Sequence, residues 1–291
     1  MRVGDVEIFL LTDGIARVDG GGMFGLVPRM MWEAKHPPDS QNRILIRVNC
    51  LLIKDGEHNI VVDTGFGGKI RARTQRLMGI LNTGRLPGLL QGHGVEPEQV
   101  DLVINTHLHA DHAGGDTSVK GERVVPAFPK ASYIVQESEW DDANNPNERT
   151  RATYLPENFL PLREAGHLEL IQGDTQVTPH VRCVVKPGHV QGHQCVLIDS
   201  DGERALYLAD VASLAVHLEK LAWVPSYDLD PMRSIETKRE IQQWAIAQDI
   251  LLIFDHDPEI GMGRLQAGAG RRWVEPVLRL EIPDEEETEE G

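Results

Sequence analysis

Short apolar runs, each ending in a polar residue or glycine, recur along the chain and form its most regular pattern. They are rich in β-branched residues, and their spacing and bounding turns predict strands at residues 6–11, 44–53, 60–63, 102–105, 132–136, 181–186, 195–199, 205–210 and 250–255. Asp55-Gly56 and Asp201-Gly202 lie between paired runs and predict hairpin turns. Strands therefore dominate the expected structure, with helices interspersed.

The clearest helical pattern covers Pro231–Gln248, which follows Asp230 as a carboxylate N-cap and begins with proline at the first helical position. Its predicted apolar stripe contains Ile235, Ile241, Trp244 and Ala245, whereas Lys238, Arg239 and Glu240 are expected to face water. The elements fall into two halves of similar layout, residues 1–165 and 166–280. We therefore predict an α/β fold in which two sheets pack face to face with helices outside, within a single domain over residues 1–280.

Charge excludes one class of partner. The chain has 291 residues and a formal net charge of −16, and removing the seven acids of residues 281–291 leaves −9 on the rest. A chain with this negative charge lacks the excess of basic residues that binds the phosphate backbone of nucleic acids. Residues 281–291 contain no base and predict an acidic, disordered tail.

Cysteine usage and the N-terminus indicate the compartment. Cys50, Cys183 and Cys195 are widely spaced within apolar runs, which predicts buried thiols without a disulfide framework. The first residues lack the charged-then-apolar pattern of a signal peptide, and no run approaches the about 18 apolar residues of a membrane span. We expect a cytoplasmic protein with no membrane partner.

The most informative motif is Thr106-His107-Leu108-His109-Ala110-Asp111-His112, directly after the apolar run 101–105. Imidazole and carboxylate are ligands that zinc and similar divalent metals prefer. In an extended segment His107 and His109 project to one side, and Asp111 and His112 must turn in a second direction. One segment therefore offers donors to two adjacent metal ions.

Further donors stand where predicted strands end. They are His189 and His193 in a Pro/Gly-rich turn, Asp210, and His256. A lone Asp or His at such a place is most often a cap or a rim residue. Their joint occurrence after residues 107–112 favours a shared metal site.

In this order, His107-x-His109-x-Asp111-His112, Gly188-His189, Asp210 and His256 resemble the metallo-β-lactamase superfamily, and Val62-Asp63-Thr64-Gly65 is similar to its first signature. The resemblance covers about residues 5–265 and implies a four-layer αββα sandwich with a metal site where the loops of the two sheets meet. It further implies one ion held by His107, His109 and His189, a second held by Asp111, His112 and His256, and Asp210 bridging both. Asp63 would fix the ligand loop, and His193 is expected to be a loop residue.

Such a site implies hydrolysis. Two divalent ions, zinc in the first instance with iron, manganese or cobalt as alternatives, can share a hydroxide that attacks a carbonyl or phosphoryl centre. Asp111 or Asp210 would then carry the proton to the leaving group as the catalytic residue. Other uses of the same residues are a fold-stabilising metal site without activity and oxidative chemistry at a di-iron centre.

The layout is most similar to the lactonase and arylesterase branch, which implies a lactone or small apolar carboxylic ester as substrate. A glyoxalase II-like thioesterase shares all seven ligands, and an organophosphate or aryl phosphotriester hydrolase is a further alternative. Residues 20–32 are glycine-rich and then apolar, which fits a pocket lip for an acyl or aryl group, core packing or a homodimer contact.

Two further features bear on the substrate. Residues 66–94 are a second candidate wall, although the bases Lys69, Arg71, Arg73, Arg76 and Arg85 more simply form a solvated helical face. Quorum-quenching lactonases of this branch often carry a tyrosine three residues after the bridging Asp, where this chain has Ser213. We expect Tyr207, Tyr227 or His217 to be the alternatives in space.

Overall fold

The computed structural model describes residues 1–282, so all but the first two residues of the predicted acidic tail lie outside the described residues. The strands are, in chain order, β1 (Arg2–Val3), β2 (Val6–Asp19), β3 (Arg43–Asp55), β4 (His58–Val62), β5 (Ile80–Leu81), β6 (Leu102–Ile104), β7 (Thr117–Lys120), β8 (Arg123–Pro126), β9 (Ser132–Gln136), β10 (Leu168–Ile171), β11 (Thr175–Gln176), β12 (Val181–Val185), β13 (Gln194–Ser200), β14 (Glu203–Tyr207), β15 (Leu251–Ile253), β16 (Ile260–Gly268) and β17 (Arg271–Arg279).

The α-helices are α1 (Gly20–Phe24), α2 (Arg29–Trp32), α3 (Ala72–Met78), α4 (Leu86–Gly92), α5 (Ala110–Ala113), α6 (Glu137–Asn144), α7 (Pro156–Glu164), α8 (Ala215–Glu219) and α9 (Pro231–Gln248). Short 3-10 turns occur at Pro97–Gln99, Gly114–Asp116 and Ala209–Val211. None of the helices in residues 1–282 has the length and apolar character needed to cross a bilayer.

Two mixed sheets carry the fold. The first has the order β1-β2-β3-β4-β6-β9-β10, with β5 beside β2, and the second runs β11-β12-β13-β14-β15-β16-β17. The first is antiparallel up to β4 and parallel from β4 to β10, whereas the second is antiparallel except for the parallel pair β14 and β15. Strands β7 and β8 form a separate hairpin.

Alternating side chains show why the sheets stack between helices. In β13, Val196 and Ile198 belong to the core between the sheets, and Cys195 and Leu197 belong to the core under the helices. Successive residues of a strand point to opposite faces, so a strand that is apolar at every position must be covered on both sides. Helices α8 and α9 cover the second sheet, and α4 and α7 cover the first. The predicted αββα sandwich is confirmed.

The helix predicted at Pro231–Gln248 is confirmed with the same bounds, and the side chain of Asp230 caps it by accepting a hydrogen bond from the Arg233 amide. One detail of the prediction is wrong, because Lys238 is 1% exposed instead of facing water. Its ammonium donates to the carbonyl oxygen of Trp223 at 2.8 Å. The amphipathic pattern missed this because the loop before the helix folds back over its polar edge.

Candidate metal centre

The predicted metal ligands lie just beyond the carboxyl ends of four strands. His107, His109, Asp111 and His112 follow β6, His189 follows β12, Asp210 follows β14 and His256 follows β15. Strands that run in the same direction bring their carboxyl ends to one edge of a sheet, where α/β folds place their ligands. The stacked sheets therefore bring residues distant in sequence to one place.

Three imidazoles form the first group. Nε2 of His107 lies 3.0 Å from Nδ1 of His109, and Nε2 of His189 lies 3.1 Å from the same nitrogen. Nε2 of His189 is also 3.1 Å from Oδ2 of Asp210. One ligand atom from each of these four buried residues lies within 4.8 Å of all the others.

A second group shares the same carboxylate. Nε2 of His112 lies 3.5 Å from Oδ2 of Asp210, and Nε2 of His256 lies 3.5 Å from Oδ1. Asp255 completes this group of four mutually close donors. Asp111 lies beside it, with its two oxygens 3.9 Å from Nε2 of His112 and 3.6 Å from Nε2 of His256. Asp210 thus faces both groups: Oδ2 lies near His189 and His112, and Oδ1 lies near His256.

Neighbouring carboxylates orient these imidazoles. Asp63 accepts from the amide and hydroxyl of Thr106 at 2.8 Å and lies 2.9 Å from Nδ1 of His112. The predicted role of Asp63 in fixing the ligand loop is thus seen in its contacts. Asp228, which sequence reasoning missed, lies 3.0 Å from Nδ1 of His189. A carboxylate on the far nitrogen fixes the ring and the tautomer of a ligating histidine.

Backbone geometry holds the loops at the site. Asp63 and Ala209 adopt positive φ values of 53° and 46°, which non-glycine residues rarely do. At Gly188 φ is 143°, and a Cβ would lie 2.5 Å from Oγ of Ser234 in α9. A larger residue there would push helix α9 away from the turn that carries His189.

Burial and charge set the protonation of the histidines. Burial, reinforced by the neighbouring imidazoles, holds the pKa values of His107 and His109 well below the usual range. Burial also opposes the charging of His189, but Asp210 and then Asp228 outweigh it and raise its pKa to about 9. For Asp210 the surrounding histidines outweigh burial and hold its pKa well below normal. The centre therefore combines neutral imidazole lone pairs on His107 and His109 with an ionised carboxylate at Asp210.

These residues fit divalent metal ions. Nε2 of His112 and both oxygens of Asp255 are buried without a hydrogen bond to any described residue. Such groups are costly to bury unless something pairs with them. The donor set is imidazole and carboxylate, which suits zinc, iron, manganese and cobalt.

A cavity of about 320 Å³ opens onto both groups. His109, Asp111, His189, Asp210 and His256 form its floor. Its apolar lining residues are Ala16, Val18, Met23, Ile46, Phe66, Met78, Ile80, Ala110, Ala152, Pro225 and Leu229, and its other polar lining residues are Arg149, Thr150, Thr153, Ser213, Ser226 and Tyr227. The site can therefore hold a small, largely apolar molecule against the ligand cluster.

Both predicted wall segments reach this cavity in part. Met23 from residues 20–32 lines it, whereas Phe24 and Trp32 stack in the core with ring centroids 4.8 Å apart. Phe66, Met78 and Ile80 line it from residues 66–94. The bases on α3 are exposed, and Lys69 instead donates to the carbonyl oxygen of Thr117 at 2.8 Å.

The position three residues after Asp210 is also resolved. Oγ of Ser213 donates to Oδ1 of Asp210 at 2.7 Å, so this serine orients the shared carboxylate. Of the three alternatives, Tyr227 lines the cavity. The Tyr207 hydroxyl donates to the carbonyl oxygen of Asn49 at 2.6 Å, and His217 is buried against Phe24 with ring centroids 5.6 Å apart.

His193 is closer to the centre than a loop residue need be. Its ring centroid lies 5.3 Å from that of His107. Burial lowers its pKa to about 3, and neither ring nitrogen makes a hydrogen bond to a described residue. His193 therefore packs as a neutral ring behind the first group and is outside the four close donors.

Comparison with known proteins points to one family. Residues 44–237 match the metallo-beta-lactamase superfamily. The N-acyl homoserine lactonase AiiA of Bacillus thuringiensis subsp. kurstaki is 29% identical over 224 residues, which cover 72% of this chain and 81% of that protein.

Solved structures agree in fold. A probable metal-dependent hydrolase from Staphylococcus aureus superposes with a TM-score of 0.87 at 28% identity, covering 96% of this chain and 100% of that one. AidC, a dizinc quorum-quenching lactonase in complex with a product, superposes with a TM-score of 0.81 at 21% identity, covering 97% of each chain. At that lower identity the likeness to AidC supports the fold alone.

Proposed function

Because this chain belongs to the metallo-β-lactamase superfamily and its relatives are metal-dependent hydrolases, we propose that it is a dinuclear hydrolase that opens lactones or small apolar carboxylic esters. The observation that carries the proposal is the position of Asp210, which faces both donor groups at the floor of an apolar cavity. The N-acyl homoserine lactone named for the relative AiiA is one member of this substrate class.

The donors divide into two metal positions. His107, His109 and His189 would hold one ion, Asp111, His112 and His256 would hold the other, and Asp210 would contact both. Zinc is the first candidate because it favours imidazole and carboxylate ligands. When bound, divalent ions lower the pKa of water and polarise the substrate carbonyl.

Hydrolysis also needs a carboxylate that accepts a proton and passes it to the leaving oxygen. Asp111 and Asp210 both line the cavity, but the Asp111 side chain is 29% exposed and that of Asp210 is 10% exposed. Asp210 is also held by Ser213 and the surrounding histidines. Asp111 is therefore the better placed to accept a proton and pass it to the leaving oxygen.

The cavity supports an apolar acyl or aryl group. Its volume of about 320 Å³ is at the small end of ligand pockets, whose walls are typically apolar with a few placed polar groups. The large, charged peptide of an acyl-glutathione fits a cavity of about 320 Å³ less well than a lactone or a small ester does. This favours a lactone or oxygen ester over the thioester alternative.

The test is hydrolysis by metal-replete protein across γ-lactones, aryl esters, an acyl-glutathione and an aryl phosphotriester. We expect turnover of lactones and aryl esters that is lost on chelation and in His109→Ala. His93→Ala, at an exposed position outside the cavity, is the matched control and should keep full activity. No hydrolysis of any substrate would contradict the proposal, and preference for the thioester would replace it with the glyoxalase II-like alternative.

A further inference from the structure

We propose that Asp255 is an additional ligand of the second metal position. Because of this ligand, the second position binds Mn²⁺ or Fe²⁺ with a stronger preference than the first position does. This inference rests on the proposed dinuclear site. The set of seven ligands implied by the sequence does not include Asp255, which lies next to His256 at the end of the apolar run 250–254.

The Asp255 carboxylate is buried, and its close neighbours are the imidazoles of the second donor group. The residue is 1% exposed, and neither carboxylate oxygen makes a hydrogen bond to a described residue. A buried carboxylate is stabilised by hydrogen bonds, by a paired charge or by a metal ion. The backbone carbonyl of Asp255 accepts from the Asn49 amide at 2.9 Å, so the strand end is held without the side chain.

Its distances fit a ligand. Oδ2 of Asp255 lies 3.2 Å from Nε2 of His256 and 3.9 Å from Nε2 of His112. The donor atoms of Asp255, His112, His256 and Asp210 all lie within 4.8 Å of one another. Metal–ligand distances of about 2.0–2.2 Å place neighbouring ligand atoms at such separations. The far side of His256 is fixed, because its Nδ1 lies 2.7 Å from the carbonyl oxygen of Arg47.

The two positions then differ in chemistry. The first has three imidazoles and the shared Asp210. The second has two imidazoles, the shared Asp210, and the carboxylates of Asp111 and Asp255. Carboxylate oxygens suit manganese and other hard ions, whereas a nitrogen-rich set suits zinc. A larger donor number also favours ions that take more than four ligands.

The experiment compares metal binding by chelated wild-type protein, Asp255→Asn and Asp255→Ser. Zn²⁺ and Mn²⁺ are titrated separately against a competing chelator, and bound metal is counted by elemental analysis. We expect both variants to weaken binding of the second ion at least about tenfold, more for Mn²⁺ than for Zn²⁺, and to leave the first ion within about twofold. Co²⁺ loading adds a spectroscopic readout, because the visible bands of the second Co²⁺ should intensify as its ligand number falls.

Asp116→Asn is the matched control. Asp116 is a buried carboxylate with one unpartnered oxygen, but its other oxygen accepts from Thr64 and Asn105, and the residue belongs to neither donor group. This variant should bind both ions as the wild type does. Unchanged affinity for the second ion in both Asp255 variants would overturn the inference while leaving the dinuclear hydrolase intact. A wild-type protein that binds one ion at most would overturn both, and retained binding of the first ion shows that a variant is folded.

Discussion

Oδ2 of Asp210 lies 3.1 Å from Nε2 of His189. The other oxygen of the same carboxylate faces the second donor group, so one side chain connects both groups. Replacing Asp210 with Asn keeps its size but removes the charge. We expect Asp210→Asn to reduce bound metal to one ion or fewer per chain and kcat/KM for a lactone by at least about 100-fold. Elemental analysis and steady-state kinetics check this, and a variant with two ions and near-normal kcat/KM would refute the role of Asp210.

Asp228 should act on metal affinity through His189. Its carboxylate lies 3.0 Å from Nδ1 of His189, on the side away from the donor group. We expect Asp228→Asn to weaken the first ion about 10- to 100-fold, the usual effect of losing such a partner. Chelator competition measures the Kd. Asp201→Asn, in an exposed hairpin turn, is the control and should bind as the wild type does. Equal affinities in both variants would argue against this orienting role.

Narrowing the cavity should weaken the binding of substrates with long acyl chains more than that of short substrates. Ala152 is exposed and lines the cavity, so a larger residue there can enter it without disturbing the core. We expect Ala152→Trp to raise KM for long-chain acyl esters about tenfold and to change KM for an unsubstituted γ-lactone less than about twofold. Arg151→Trp, at the neighbouring exposed position outside the lining, controls for the added surface indole. The same KM change for long and short substrates would show that Ala152 lies away from the acyl site.

Stability should depend on pH through the pair His180 and Asp55. Nδ1 of His180 lies 2.7 Å from Oδ1 of Asp55, and this hydrogen bond raises the histidine pKa. Burial opposes ionisation of Asp55, but Thr178 and His180 outweigh it and lower its pKa. The raised pKa of His180 stabilises the fold fully below about pH 6.5, the ordinary histidine pKa. This stabilisation is lost as the pH rises through the higher pKa of the folded state. The lowered pKa of Asp55 stabilises the fold fully above about pH 3.8, the ordinary aspartate pKa. This stabilisation is lost as the pH falls through the lower pKa of the folded state.

The contribution of the pair is therefore largest between about pH 4 and 6.5. His180→Asn should lower the urea midpoint more at pH 5.5 than at pH 8.5. His58→Asn, at an exposed position on β4, is the control. An equal loss at both pH values would contradict the assignment.

Much of the fold was predictable because its central strands contain buried apolar runs. The buried runs that become β3, β12, β13 and β14 stand out from polar turns, and Asp230-Pro231 marks the start of α9. The final hairpin of β16 and β17 was missed, since β17 alternates with exposed arginines and glutamate and resembles a polar surface segment.

The candidate site was predictable where donors cluster in sequence or follow a strand. The motif at residues 107–112 and the strand-end positions of Asp210 and His256 gave such signals. Asp228 and Arg149 gave none, because each lies in a loop whose position depends on tertiary packing. Asp255 was detectable from its place beside His256 after a buried strand. The ligand set implied by the family resemblance, however, contains His256 and not Asp255. A single domain, a homodimer and a cytoplasmic location remain predictions.

The most direct test of the dinuclear centre is anomalous diffraction from crystals of the zinc-loaded protein. We predict two anomalous peaks about 3.5–4 Å apart, each marking one zinc ion. One ion should be bound by His107, His109 and His189 and the other by His112 and His256, and Asp210 should bind both. A single peak, or a second peak away from Asp210, would contradict the account.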